Sequence, residues 1–350
     1  MRIRIHRSFW RILCWFCAAL VNFPTLYRFK SHAVPDKTVL IVEPNPYHGE
    51  ILPGFVKYFS ELGYKVELIL QLSLKKDSPF VRFDSPPVIF YLPPFGQRTA
   101  LKLATAKKYD FIFFSTSVLW VAGYKNSYLK FLGFVPEKFF MVEHNIIPWV
   151  KQYRHDKYAD RLFSLSGFNN IPMLNPHYFG NVQITDKSEI TTFAAVLNVR
   201  ENAALLFGAV RELLSRGIVN FRVVVAGAAE IDKIPADLES HVTITGKISF
   251  EKLWKIYEDA DFILPCLNPE LEIQKKYLGS TTTGSWSNIM AFAKPAVIHS
   301  DFAKFYRLDD TNAILYQDNK KFSAAMAAAI VMSAAEYKIM QNNICNLQNE

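Results

Sequence analysis

The stretch from Phe221 to Ile298 constrains the fold most, because short apolar runs alternate there with helical patterns. Phe221–Gly227 is rich in β-branched residues and ends on glycine, a pattern typical of a strand buried on both faces of a parallel sheet. Val242–Gly246 and Ala260–Pro265 are further short apolar runs, and a helical pattern begins after Ser249. The alternation predicts an α/β fold with a parallel sheet.

A Ser/Thr- and Gly-rich loop leads into the last helix of this stretch, which Pro295 ends. Backbone N–H groups at a helix start favour anions, so the loop and the lysines before it predict a diphosphate site. The predicted donor-binding residues here are Lys275, Lys276, Thr282, Thr283, Gly284 and Ser285. The alternative is a solvated loop that only caps the helix.

A chain of 350 residues predicts two domains, and the first half repeats the strand and helix order. Strands are predicted at Thr38–Glu43, Val66–Leu70, Val88–Leu92, Phe111–Phe114 and Phe139–Val142, with a helix around Trp120–Leu132. We expect a first domain over 36–182 and a second over 190–321, joined by the polar run from Asn181 to Glu189. The alanine-rich residues 322–350 predict a terminal helix that packs back over the hinge.

Three short sequence motifs in the second half of the chain resemble those of the GT-B glycosyltransferases. The resemblance is strongest to the retaining family that uses nucleotide sugars (family 4, group 1 type). The motifs are Thr245-Gly246-Lys247-Ile248, Ala260–Pro265 and Ala293–Ile298. The resemblance implies two Rossmann-like domains facing a cleft, with an N-terminal acceptor domain and a C-terminal donor domain. It also implies that Gly246, Lys247 and Ile248 belong to the donor site.

The chain departs from this family at the charged positions that hold the donor. The family's Glu-x7-Glu pair aligns with Ser280 and Asn288, and its diphosphate-binding Arg and Lys align with Val196 and Glu201. Asn288 stays a donor-binding candidate, and Arg200 is either a substitute cation or a solvated residue at a helix start.

Four residues at strand ends are candidates for proton transfer or sugar positioning: His48, Glu50, Glu143 and His144. Residues at the carboxyl ends of parallel strands line ligand sites in doubly wound sheets. His144 falls where the family often places a histidine that contacts the donor sugar, although a lone histidine is often structural. No Asp-x-Asp motif occurs in a donor-binding context, so neither a metal nor another cofactor is expected.

The first thirty residues contain six basic residues, many aromatic ones and no acid. The apolar run from Ile12 to Val21 is shorter than the roughly twenty residues that cross a bilayer. We expect residues 1–35 to be an amphipathic segment that lies on an anionic membrane. A signal or signal anchor and plain core packing are the alternatives.

These features together predict a glycosyltransferase on the cytoplasmic face of a membrane, held there peripherally. It would move a sugar from a nucleotide-sugar donor to a lipid-linked, lipopolysaccharide or cell-surface glycan acceptor. The alternatives are a non-catalytic partner subunit of a glycosyltransferase complex and a sugar-nucleotide epimerase of the same fold. Nucleic-acid binding is disfavoured, because the basic excess is interleaved with bulky apolar residues and no recognition motif is present.

Overall fold

The computed structural model describes residues 22–46, 48–116, 138–145, 161–165, 171–197, 200–227 and 234–348. The chain divides into two compact units. The first comprises residues 1–79, 84–143 and 155–163, and the second comprises residues 80–83, 144–154 and 164–350.

The first unit is built on a parallel sheet whose strands run in the order β3-β2-β1-β4-β5-β6. These are β1 (Thr38–Glu43), β2 (Lys65–Gln71), β3 (Val88–Leu92), β4 (Phe111–Phe114), β5 (Phe139–Glu143) and β6 (Leu162–Ser164). Helices α1 (22–31), α2 (Leu52–Glu61) and α3 (Pro94–Ala104) accompany them. All six residues of β1 are buried, as expected for a central strand covered on both faces. The predicted helix around 120–132 lies outside the described residues.

Helix α1 packs on the edge of this sheet. Phe29 is fully buried and meets the ring of Phe90 edge-on at 4.9 Å. Arg28 donates from Nη2 to the carbonyl of Ile89 over 2.7 Å, and Asn22 is buried. The C-terminal part of the predicted membrane segment, residues 22–31, therefore packs against the first unit. Residues 1–21 of the predicted membrane segment lie outside the described residues.

The second unit is built on a parallel sheet with strand order β12-β11-β10-β7-β8-β9. Its strands are β7 (Thr191–Val196), β8 (Phe221–Ala226), β9 (Val242–Ile244), β10 (Phe262–Leu264), β11 (Ala296–His299) and β12 (Ala313–Tyr316). Its helices are α4 (Arg200–Ser215), α5 (Phe250–Asp259), α6 (Gly284–Phe292), α7 (Ser300–Ala303), α8 (Phe322–Val331) and α9 (Ala334–Gln348).

Two apolar layers cover the faces of this sheet. Leu206 and Val210 of α4 pack with Phe322 of α8 in one layer. Trp254 of α5 and Phe292 of α6 pack in the other. The sheet is therefore the middle of a three-layer sandwich, and the prediction of an α/β fold with two Rossmann-like domains is confirmed.

Residues 322–350 were expected to form one helix but contain two, α8 and α9. Phe322, Met326 and Tyr337 are buried in the core of the second unit. Among the described residues no single helix is long and apolar enough to cross a membrane. Residues 319–331 and α9 reach that length and hydropathy only together, and they are bent by 107° at the break between them.

Lys294, in the Lys-Pro pair that follows α6, has a structural role. Lys294 is fully buried and donates to the carbonyl of Glu258 over 2.9 Å and to Thr185 Oγ1 over 2.6 Å. Burial lowers the pKa of Lys294 to about 8, while Asp261, Asp259 and Glu258 oppose that shift. Lys294 thus joins α6 to the segment that leads into β7.

Candidate functional site

Each sheet has one place where the strand order reverses, and ligands bind outside the carboxyl ends of strands at such places in doubly wound sheets. In the first unit the reversal lies between β1 and β4. In the second unit it lies between β7 and β10.

Glu43 occupies the reversal point of the first sheet, at the last position of β1. It is fully buried, and its Oε2 accepts hydrogen bonds of 2.7 Å from both Ser115 Oγ and Thr116 Oγ1 at the end of β4. Its Oε1 accepts from the backbone N–H of Asn45 over 2.6 Å. One carboxyl group therefore joins the ends of the two strands to the loop that follows β1.

Glu43 was not among the candidate residues predicted from the sequence, because it was assigned to an apolar strand. The only available signal was a glutamate ending an otherwise apolar run, which also occurs at Glu143. Burial raises the pKa of Glu43 to about 8. The hydrogen bonds from Ser115, Thr116 and Asn45 oppose this rise, and the neighbouring charge of Glu50 adds to it.

His48 and Glu50 lie on the loop held by Glu43, where Gly49–Ile51 form a turn of 3-10 helix that leads into α2. Both side chains are half-buried. Desolvation lowers the pKa of His48 to about 4 and raises the pKa of Glu50 to about 7. At neutral pH this loop therefore carries an uncharged imidazole at position 48 and, two residues later, a carboxyl group that readily gains or loses a proton.

Glu143 and His144 fall in different units. Glu143 ends β5 and is buried in the first unit. His144 belongs to the second unit, where the next residue, Asn145, forms an isolated antiparallel bridge with Thr281. The residue after His144 thus pairs with the residue before Thr282 of the predicted donor-binding loop. Glu143 belongs to the same unit as Glu43 and Glu50.

The loop before α6 has the features of an anion site. Thr283 is the N-cap, but its side chain does not cap the helix. Gly284 is exposed, and a Cβ added there would meet no atom within 4 Å. Thr281 Oγ1 is buried without a hydrogen-bond partner among the described residues, while Thr282 Oγ1 donates to the Leu165 carbonyl over 2.8 Å. The Trp286 N–H donates to the Thr283 carbonyl over 3.1 Å. The start of α6 therefore has no side-chain cap and has open space beside Gly284.

The other donor-binding candidates have varied surroundings. Lys275 and Lys276 are exposed; Lys275 pairs with Glu272 at 2.6 Å, and the Lys276 Nζ lies 5.0 Å from the Tyr277 ring centroid. Ser285 and Asn288 are buried in the first two turns of α6.

Further candidates lie on the loops after β9 and β7. Gly246 has a φ of +63° and accepts from the Gly227 N–H over 3.1 Å; Lys247 is exposed and Ile248 is half-buried. Arg200 is the first residue of α4, and its side chain is not among the described atoms.

Among the described residues, no three His, Cys, Asp or Glu side chains come together as a set of metal ligands. The candidate residues of the first unit are carboxyl groups and an imidazole, which are groups that can transfer protons. Those of the second unit include hydroxyls and the N–H groups at a helix start, which are groups that can bind an anion.

Comparison with solved structures identifies the fold. An α-glucosyltransferase in complex with UDP and DNA containing an HMU base superposes with a TM-score of 0.57 at 14% identity, over 88% of this chain and 95% of that chain. The catalytic domain of starch synthase IV from Arabidopsis thaliana, bound to ADP and acarbose, has a TM-score of 0.52 at 11% identity over 89% and 96%. A UDP-N-acetylglucosamine 2-epimerase has a TM-score of 0.53 at 10% identity over 88% and 91%.

These similarities confirm the predicted GT-B fold. No family model matches the chain, and no curated protein sequence matches it. At such low identities the comparisons show the fold, which both transferases and an epimerase share.

Proposed function

We propose that this protein is a glycosyltransferase that uses a nucleotide-sugar donor. The observation that carries the proposal is the open start of α6, with its uncapped N–H groups and the buried Thr281 hydroxyl, in a GT-B fold. A diphosphate is the anion that suits such a helix start. Structures of this fold are described with UDP and with ADP, which supports a nucleoside diphosphate here.

Glycosyl transfer breaks the bond between the anomeric carbon and the diphosphate and forms a bond to an acceptor oxygen. The N–H groups of α6 stabilise the negative charge that the diphosphate gains as it leaves. The acceptor hydroxyl loses a proton as its oxygen bonds to the sugar. In this proposal Glu50 takes that proton, and its pKa of about 7 suits a general base at neutral pH.

The acceptor is proposed to be a lipid-linked, lipopolysaccharide or cell-surface glycan, with the protein held peripherally at the cytoplasmic face of a membrane. The basic and aromatic residues 1–30 support this choice. Helix α1 also presents exposed Phe23 and Tyr27, whose rings stack at 6.2 Å.

An epimerase is the second candidate, because one structure of similar fold is an epimerase. A non-catalytic partner subunit is the third, because the carboxylates and cations that usually hold the donor are replaced by Asn288, Ser280, Val196 and Glu201. An epimerase, whose substrate is a soluble nucleotide sugar, has no use for the basic, aromatic N-terminal segment.

Calorimetric titration with UDP, ADP, GDP, dTDP and CMP, and with the sugar esters of each, tests the proposal. We expect one nucleotide and its sugar to bind in the micromolar to millimolar range usual for enzyme substrates. Absence of binding to the whole panel would favour the partner subunit.

A further inference from the structure

A chain of amide side chains crosses the carboxyl edge of the second sheet. Gln274 donates from Nε2 to Asn202 Oδ1 over 2.8 Å, and its Oε1 accepts from the backbone N–H of Asn268 over 2.6 Å. Asn319 then donates from Nδ2 to Asn268 Oδ1 over 3.0 Å. The chain joins the first turn of α4 to the loops after β10 and β12, and Gln274 and Asn202 are both buried.

Two backbone N–H groups fix the direction of every amide in this chain. The N–H of Asn268 can only donate, so the Gln274 atom that it meets is the oxygen. The N–H of Glu270 donates to Asn268 Oδ1 over 2.8 Å, which fixes that side chain as well. Asn319 must therefore turn its NH2 group toward Asn268, and its oxygen points away from the chain.

The Asn319 oxygen is buried without a hydrogen-bond partner among the described residues. A buried acceptor in this state is costly and needs a donor. Turning the amide over would not help, because it would bring two oxygens together at Asn268. The missing partner is therefore a hydrogen-bond donor that does not belong to the described residues of the protein.

The position of Asn319 suggests what that donor is. Asn319 follows β12 by three residues, at the same edge as the loops of β7 and β10. Ligands bind along this edge in doubly wound sheets. The amide chain contains no titratable group, so it suits an uncharged, hydroxyl-bearing ligand rather than a phosphate.

We infer that Asn319 Oδ1 accepts a hydrogen bond from a hydroxyl of the donor's sugar, and that the amide chain holds Asn319 in place for this contact. The inference rests on the proposed function, since it names a part of the same donor site. The sequence predicted Lys275 and Lys276 as donor-binding residues. The residue that joins Asn202 to Asn268 is their neighbour Gln274. An uncharged amide contact here complements the loss of the family's glutamates at Ser280 and Asn288.

The test compares two probes by calorimetry: the nucleotide sugar that binds best to the wild-type protein, and the corresponding free nucleoside diphosphate. Asn319→Leu has a similar volume but no acceptor. This variant should lower the affinity for the nucleotide sugar about three- to tenfold, as expected for the loss of one hydrogen bond. Its affinity for the nucleoside diphosphate should not change. Ser323→Ala is the matched control, because the Ser323 hydroxyl on α8 is also buried without a partner. It should change neither affinity.

If Asn319→Leu lowered the affinity for both probes equally, the amide chain would only support the fold. Unchanged affinity for the nucleotide sugar would show that water or protein satisfies the Asn319 oxygen. Either result overturns the inference while leaving the proposed function standing. If the wild-type protein bound no nucleotide at all, the proposed function itself would fail.

Discussion

At the residue scale, Glu43 and Glu50 hold their protons more tightly than ordinary glutamates. Burial disfavours their charged forms and raises their pKa values to about 8 and about 7. Ser115 and Thr116 partly offset this cost at Glu43 by donating hydrogen bonds. The loop after β1 therefore changes its charge near neutral pH.

The raised pKa values predict how stability depends on pH. Because the folded protein binds these protons more tightly than the unfolded chain, their contribution to stability is complete below about pH 4.5 and is lost as pH rises through about 7 and about 8. In the wild-type protein the free energy of unfolding should fall between pH 5 and pH 8. In Glu43→Gln this fall should be smaller than in wild type by on the order of 2 kcal/mol. Urea denaturation at several pH values measures this.

Ser115→Ala provides a control with the opposite sign. It removes a hydrogen bond that lowers the pKa of Glu43, so the loss of stability should move to higher pH. A pH dependence that is the same in wild type, Glu43→Gln and Ser115→Ala would show that Glu43 does not titrate in this range.

Substitution of the candidate catalytic residues should reduce turnover. Glu50→Ala and His144→Ala should each reduce turnover by about 100-fold, through loss of proton transfer or of sugar positioning. His241→Ala is a matched control, because His241 precedes β9 at the opposite edge of the second sheet. Wild-type turnover in both Glu50→Ala and His144→Ala would place the chemistry elsewhere.

At the scale of elements, the start of α6 is the main binding feature. Gly284→Leu should put a side chain into the open space before the first turn without disturbing the fold. Nucleotide affinity should fall at least about tenfold, since a hydrogen bond to a charged group contributes roughly 1.5–3 kcal/mol. Gly208→Leu on α4 is the matched control, because a Cβ there also meets no atom within 4 Å. If Gly284→Leu is folded and binds normally, the diphosphate lies elsewhere.

The strands were predictable because short apolar runs leave a clear signal in the sequence, as in Val39–Val42, which is buried on both faces. Burial on both faces was also predicted for the run that begins at Phe221, but there Arg222 is exposed and Val224 is half-buried. Contacts between distant residues left no such signal. Glu43 meets its hydroxyl partners more than seventy residues away, and Gln274 meets Asn202 at a similar separation. The contact of Phe29 with Phe90 also left no such signal, because Phe29 belongs to a segment whose composition predicted a membrane surface.

At the scale of the whole molecule, the net charge of +8 includes six basic residues within the first thirty. Each can contribute on the order of 1 kcal/mol near an anionic surface, and the aromatic residues add an apolar contribution that salt does not screen. Full-length protein should therefore bind anionic vesicles, and high salt should weaken the binding without abolishing it.

Two truncations separate the membrane segment from the fold. Removal of residues 1–21 should weaken vesicle binding and leave nucleotide binding intact. Removal of residues 1–31 should also lower the melting temperature by several degrees, because it deletes the buried Phe29 and Asn22. If the full-length protein ignores anionic vesicles, the case for a lipid-bearing acceptor largely collapses.

The central claim is transfer of a sugar, and product analysis tests it most directly. The full-length protein would be incubated with the radiolabelled nucleotide sugar that it binds best and with a bacterial membrane extract. We expect label in the lipid-extractable or polysaccharide fraction, with release of the nucleoside diphosphate, and loss of both in Glu50→Ala. Label that stays on the nucleotide, with the sugar either unchanged or epimerised, would contradict the account.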